Sequence, residues 1–288
     1  MGETLSCNVC ASPGSFDHAL EANAISCNVR RFGNERFTVW RCANCRSLHC
    51  KEAVDLDAYY VDYPMTKQVR DFATQRAFIN RLRTMEKYGL QPEHAILDYG
   101  CGTGLFVSFL KERGFHAAGY DPYVRAFSDR AILSGRFDFV TSQDVIEHVS
   151  EPRELAAEYQ RLLNRGGMLF IGTPNADEIE LNNTYSMELH QPYHRHILSE
   201  NALTEVCQQA GLRPIAINRR FYYDTLFPMV NTQFIRRYIR KTGGYLDAGF
   251  EAPRVGLVLT SPELLFFGLL GYFFRARGNM LGVFQRAD

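Results

Sequence analysis

The sequence predicts an α/β fold: a doubly wound, mostly parallel, Rossmann-like sheet preceded by a small cysteine-rich module. Three observations carry this. From residue 93 onward, short apolar strand patterns alternate with helical ones. The first of these strands runs into a turn with glycine at every second position, Gly100-Cys101-Gly102-Thr103-Gly104. Six of the eight cysteines fall within residues 1–55, ahead of that alternation.

The elements follow in order. Residues 1–55 form the cysteine module and show little helical periodicity. Residues 56–92 read as a helical linker, with Phe72, Phe78, Ile79, Leu82, Met85 and Leu90 near one face and Gly89 and Pro92 closing it. Residues 93–288 carry the main domain. AILDYG (95–100) is an apolar strand, LFVSFLKERG (105–114) a helix stopped by Gly114, HAAGYD (116–121) the next strand and FDFVTSQD (137–144) another. Residues 150–167 predict a helix with Ser150 as N-cap, Pro152 in its first turn and Gly166–Gly167 at its end. A strand at 168–175, a Ser199-capped helix at 199–212 and closing strands at 213–221 and 279–286 complete the alternation, which implies helices on both faces of the sheet.

Composition narrows the class. Apolar residues make up 46% of the 288, enough for a packed core rather than a disordered chain. Lys plus Arg (32) equals Asp plus Glu (32), which weakens any reading that needs a long basic surface, so a nucleic-acid partner is disfavoured. The N-terminus lacks the pattern of a signal peptide, so a cytoplasmic location is expected and the cysteines are expected to be reduced.

The glycine turn carries the binding prediction. A buried strand, three alternate glycines and a following helix let the backbone approach a ligand and present free N–H groups to it. Asp121, at the end of the next strand, can accept hydrogen bonds from both hydroxyls of a ribose. ILDYGCGTG, GYD, FDFVTSQDVIEHVSEP and LLNRGGMLFIGTPN, in this order, resemble the successive motifs of class I S-adenosylmethionine-dependent methyltransferases over about residues 93–221. The resemblance implies a seven-stranded sheet with a reversed last strand and the cofactor over the strand C-termini. It implies that Asp98, Gly100, Gly102 and Gly104 hold the methionine moiety and Asp121 the ribose, that Cys101 is a further cofactor-binding position, and that Gln143 lies near the cofactor. One departure is visible: Phe137 follows Asp121 by only 16 positions, too few for the usual full helix and strand. A short or missing third strand is therefore expected.

Cys7-x-x-Cys10 and Cys42-x-x-Cys45 are two thiolate pairs suited to one tetrahedral, structural Zn²⁺. Four thiolates leave no open coordination position, so catalytic zinc is not expected. Cys27 and Cys50 read as small packing residues, and Cys101 and Cys207 as core thiols. A zinc ribbon ahead of these methyltransferase motifs is similar to sugar C-methyltransferases and to a group of ribosomal RNA guanine methyltransferases.

Methyl transfer to a hydroxyl needs a base, and histidines dominate the candidates. Tyr193-His194-Arg195-His196 is similar to the Tyr-His-Glu-His segment of the sugar C-methyltransferases, whose tyrosine, glutamate and second histidine are assigned catalytic roles. Arg195 replaces the glutamate, which argues against carbon-acid chemistry and leaves His194 or His196 as base, or the pair as a loop anchor. Asp144, Glu147 and His148 share one helical face and resemble a stretch of ubiquinone-pathway O-methyltransferases whose acidic residues can hold a divalent cation; His148 is a further base candidate.

Residues 222–279 form a hydrophobic insertion, within which Arg236, Arg237, Arg240 and Lys241 cluster just before the most apolar stretch. Within it, Val255–Phe274 is long enough to span a bilayer but is interrupted by Pro262 and Glu263, so a buried cover or interfacial hairpin is expected. The expected function is O-methylation of a small-molecule, glycan or lipid-linked acceptor, with peripheral membrane contact left open. The alternatives are an RNA methyltransferase that grips RNA with its ribbon, and a non-catalytic cofactor-binding scaffold.

Overall fold

A computed structural model of the chain describes residues 3–10, 14–61, 63, 68–183 and 186–287. Parts of the cysteine module (1–2, 11–13) and of the linker (62, 64–67) lie outside the described residues.

The main sheet is built from β4 (Ala95–Tyr99), β5 (His116–Tyr120), β6 (Phe137–Gln143), β7 (Leu163–Pro174), β9 (Leu212–Asn218) and β10 (Asn279–Arg286). Their order across the sheet is β5-β4-β6-β7-β10-β9, and only β10 runs against its neighbours. Alternating residues feed opposite faces, as pleating requires. Ile96, Phe139, Phe170 and Val283 pack under α2 (Phe72–Lys87) and α3 (Leu105–Lys111). Leu97, Val140, Leu169 and Ile171 pack under α4 (Pro152–Leu162) and α5 (Glu200–Gln209).

The described residues hold six strands in this sheet, not the seven that the resemblance implies. The segment after β5 forms only two 3₁₀ turns, Arg125–Phe127 and Arg130–Ser134, because it is too short for a helix and a strand. This bears out the expected loss of the third strand. Other departures are local. Glu151, not Ser150, precedes α4, and Pro152 is its first residue; its fixed φ already suits a helix start. Gly166 and Gly167 lie inside β7 rather than past a helix end, where Gly166 (φ 72°) takes up the register shift between β6 and β7. Phe72 is exposed and meets Phe227 edge to face instead of joining Phe78, Leu82 and Met85 in the core. Ser199 caps α5 as expected, its Oγ accepting the Ala202 N–H at 3.1 Å.

The N-terminal residues form a second sheet of β1 (Glu21–Ser26), β2 (Arg36–Arg41) and β3 (Leu48–Cys50), and its fourth strand comes from far along the chain: β8 (His196–Ile197). Cys7, Val9, Trp40 and Cys42 share one core with β4, β6 and β7. Buried Arg41 ties the two sheets, donating to the carbonyls of Ala176 (2.8 Å) and Ile179 (2.7 Å). The cysteine module is thus packed into the main domain.

Between β9 and β10 lie the helices of the insertion: α6 (Thr232–Lys241), α7 (Val255–Thr260) and α8 (Pro262–Leu270). Ser261–Pro262 breaks the apolar run into two short helices, and much of it is exposed rather than a buried cover. Among the described residues no helix is long and apolar enough to cross a membrane.

Candidate functional site

Chain order itself places the site. From β4 the chain goes to β5 on one side, while β6 lies on the other, so the crevice beyond the C-terminal ends of β4 and β6 is the switch point where open α/β sheets bind ligands. The glycine turn follows β4, and the stretch Asp144–His148 follows β6.

In the turn, Gly100, Gly102 and Gly104 have φ of 77°, 52° and 76°. A Cβ on Gly100 would sit 2.2 Å from Val145 Cγ2, and one on Gly104 would sit 2.2 Å from Phe127 Cζ. Gly102 meets no atom within 4 Å, so its backbone borders open space. The turn is held by Asp121, whose two oxygens accept the N–H groups of Gly102 (2.9 Å) and Tyr123 (2.9 Å). An ionised carboxylate keeps lone pairs beyond these two, which leaves Asp121 able to take ribose hydroxyls. Cys101 is half-buried at this turn, its sulfur against Gly119, and packs at the edge of the core under α2 and α3.

Asp98 is buried and accepts from Arg81, which also donates to Thr141 Oγ1 (2.8 Å) and lies over the Phe106 ring (3.9 Å). Burial pushes the Asp98 carboxyl above its ordinary pKa, and the Arg81 charge opposes that. Arg81 escaped the sequence reading. The available signal was a basic residue on the apolar stripe of Phe78, Leu82 and Met85. Gln143 ends β6, its Nε2 donating to Thr141 Oγ1 (3.3 Å) beside Gly172, within the same crevice wall. Asp144 has φ 55°, unusual for a residue with a Cβ, and burial raises its carboxyl to about 7.

Three side chains converge next to it: the ligand atoms of Glu147, His148 and His194 lie within 4.8 Å of one another. Glu147 Oε2 accepts from Thr173 (2.9 Å), while buried Oε1 has no hydrogen-bond partner. Burial, then the nearby Asp144, pushes the Glu147 carboxyl well above its usual range. His194 Nδ1 faces the Glu188 carbonyl at 2.7 Å; a carbonyl only accepts, so Nδ1 carries the proton and Nε2 keeps its lone pair, 3.9 Å from Glu147 Oε1. His148 contacts the Tyr60 hydroxyl through Nδ1 (3.0 Å) and the Tyr193 carbonyl. Burial holds His194 down to about 4 and His148 well below its ordinary value, so both imidazoles are neutral near pH 7. Tyr60 is a second residue that sequence reasoning missed, because only the fold brings 60 to 148.

Tyr193 and His196 sit elsewhere. Tyr193 is fully buried, stacked on His190 (4.4 Å), with its hydroxyl donating to the Tyr59 carbonyl (2.9 Å). His196 lies in β8, and its Nε2 donates to the Ile146 carbonyl (2.9 Å).

The sulfurs of Cys7, Cys10, Cys42 and Cys45 form a cluster with separations of 3.5 Å (Cys7–Cys10), 3.6 Å (Cys7–Cys45) and 3.9 Å (Cys10–Cys42). Tetrahedral bonds of about 2.3 Å to zinc put sulfurs about 3.8 Å apart, so the four thiols fit that ion. The N–H groups of Val9 and Cys10 point at Cys7 Sγ (3.4 Å each), as donors to a thiolate would. Cys27, Cys50 and Cys207 are buried outside the cluster.

Comparison with known proteins adds a family. A model described as a methyltransferase domain matches residues 66–217, just over half of the chain. A ubiquinone biosynthesis O-methyltransferase of Caulobacter vibrioides is 33% identical over 28% of this chain and 40% of its own length. One from Aromatoleum aromaticum is 27% identical over 41% of this chain and 63% of its own length. The chain thus spans less than two thirds of either relative. The structure of a Burkholderia thailandensis 1,6-didemethyltoxoflavin-N1-methyltransferase with bound S-adenosylhomocysteine shares 12% identity and a TM-score of 0.45, covering 88% of this chain and 96% of that one.

Two predictions follow from the buried charges. Arg81→Met strands the Asp98 carboxylate and should lower the unfolding free energy by about 3–5 kcal/mol, whereas adding Asp98→Asn should restore most of it in denaturant titrations. The raised Asp144 carboxyl means the folded state holds a proton that the unfolded chain releases near pH 4. Stability from this group is therefore full below about pH 4 and is lost as pH rises through about 7. Asp144→Asn should flatten that part of a melting-temperature profile.

Proposed function

This chain belongs to the methyltransferase-domain family, and from that premise we propose that it transfers a methyl group from S-adenosylmethionine to a hydroxyl of a small-molecule, glycan or lipid-linked acceptor. The observation that carries the reading is the shared crevice. The open space over Gly102, flanked by Asp121, lies beyond the end of β4, and Glu147 and His148 follow the end of the neighbouring β6, with His194 brought in from the loop before β8. When bound, S-adenosylmethionine supplies a sulfonium methyl for in-line displacement. Gly102, Gly104 and Asp121 would hold it, and Asp98 would act through Arg81 by fixing that side chain beneath the turn.

The acceptor's proton goes to a histidine. His194 is the best placed: the Glu188 carbonyl fixes its tautomer, and its Nε2 keeps a lone pair. His148 has both nitrogens engaged and orients the site through Tyr60, while His196 and Tyr193 pack the loop that carries His194. A second reading is favoured by the unpartnered Oε1 of Glu147: a divalent cation held by Glu147, His194 and, in place of the Tyr60 hydroxyl, His148 Nδ1 would put positive charge beside the acceptor oxygen.

Calorimetric titration with S-adenosylmethionine is expected to show binding that Asp121→Ala weakens by tenfold or more. In extract supplied with labelled methyl donor, His194→Ala should cut transfer about 10²–10⁴-fold with cofactor affinity unchanged. Binding without any transfer by the native chain would instead support a non-catalytic scaffold. If transfer depends on the cation, chelation should abolish it and added Mn²⁺ or Zn²⁺ should restore it.

We also infer that the four-cysteine cluster holds a structural Zn²⁺. Metal analysis should find about one zinc per chain, lost in Cys10→Ser, with a fall in melting temperature.

A further inference from the structure

The described structure exposes sixteen large apolar side chains, and nine of them fall between Leu226 and Phe274. They are Leu226 and Met229 before α6, Val255 and Leu259 on α7, and Phe266, Leu269, Leu270, Phe273 and Phe274 on and after α8. Leu259 is 64% exposed, Leu269 61% and Phe273 69%. A helix as uniformly apolar as α8 is ordinarily buried on every side, yet only Leu264 and Gly268 of α8 are. A patch of this kind on a folded domain marks an interaction face.

Charge identifies the occupant. Residues 219–278 contain nine Lys and Arg against four Asp and Glu, in a chain whose net charge is zero. Glu200, Glu188 and Glu178 from outside this stretch pair with Arg219, Arg236 and Arg275; the cations beside the apolar helices are Arg237, Arg240, Lys241, Arg254 and Arg277. α6 packs on α8, and Arg237 lies 3.4 Å over the ring of Phe267. Arg237, Arg240 and Lys241 share the single carboxylate of Glu263. Arg254 opens the hairpin, and Arg275 and Arg277 close it. Apolar side chains between flanking cations, on helices too short to cross, are the pattern of an element that lies in a membrane interface.

We propose that the α7–α8 hairpin and the residues after it, through Phe274, dock this protein on the surface of an anionic phospholipid bilayer. The aliphatic and aromatic side chains enter the acyl boundary, and the α6 and flanking arginines meet the headgroups. The hairpin is tied to the catalytic crevice: Arg220 donates to the Tyr272 carbonyl (2.8 Å), and nearby Tyr222 is hydrogen-bonded to Asp144. The docking itself stands apart from the methyl-transfer reading, since it requires neither cofactor nor turnover.

The test is co-sedimentation of the full chain with sucrose-loaded vesicles. The chain should bind phosphatidylcholine vesicles containing about one third phosphatidylglycerol roughly tenfold more strongly than pure phosphatidylcholine, and binding should weaken as salt rises. Leu269→Asp with Phe273→Asp should lower binding tenfold or more at an unchanged melting temperature, because both sites are exposed. Should that pair disturb the fold, Leu259→Asp on the neighbouring helix serves the same purpose. Absence of binding to anionic vesicles at low salt, or binding that these variants leave intact, overturns the proposal. So does a dimer in sedimentation velocity that the same variants dissociate, because the face would then belong to a second copy of the chain.

Discussion

Everything at the site depends on a backbone turn that has no room for side chains at two of its positions. Gly100 is closed in by Val145 and Gly104 by Phe127, and both have positive φ. The bend lets the chain leave β4 and enter α3 at once, which points the α3 N-terminus into the crevice. Asp121 then fixes the turn by accepting two backbone N–H groups, so one carboxylate shapes the bend and borders the candidate binding crevice. Beneath it, the buried Arg81–Asp98 pair links α2 to β4.

The second half of the site is held from a different direction. The histidine loop enters the N-terminal sheet as β8, pairing with β3 through Leu48–Ile197 and His49–His196. On its other side, the Arg195 N–H donates to the Glu147 carbonyl (2.9 Å). The Ser199 hydroxyl, which caps α5, also donates to the carbonyl of Cys45 (2.7 Å). The cysteine cluster, the capped helix and the loop carrying His194 are therefore one mechanical unit. A cysteine module that looks in sequence like an appendage forms a wall of the candidate active site.

Much of this was legible in the sequence because the signals are local. Strand and helix periodicity, the glycine turn, the shortened segment after Asp121, the paired cysteines and the Ser199 cap each rest on a few neighbouring residues. What was not legible depends on partners distant in sequence. Nothing near residue 196 announces pairing with residue 49, so His196 reads as a base candidate although β8 buries it. Nothing near Tyr60 announces His148. Arg81 was visible only as an oddity on an apolar stripe. Gly166–Gly167 carry the chemistry of a helix stop, but the register of β7 against β6 uses them instead. The insertion was legible as apolar, yet its exposure depends on how α6, α7 and α8 share a small core.

The central claim is that the crevice over Gly102 receives the nucleoside of the methyl donor. Its most direct test is a crystal structure of the chain grown with S-adenosylhomocysteine. The account predicts the ligand against the Gly102 backbone, its ribose hydroxyls on Asp121 and its sulfur facing the Glu147–His148–His194 cluster. A crevice left empty at saturating ligand, or a nucleoside bound away from Asp121, would contradict it.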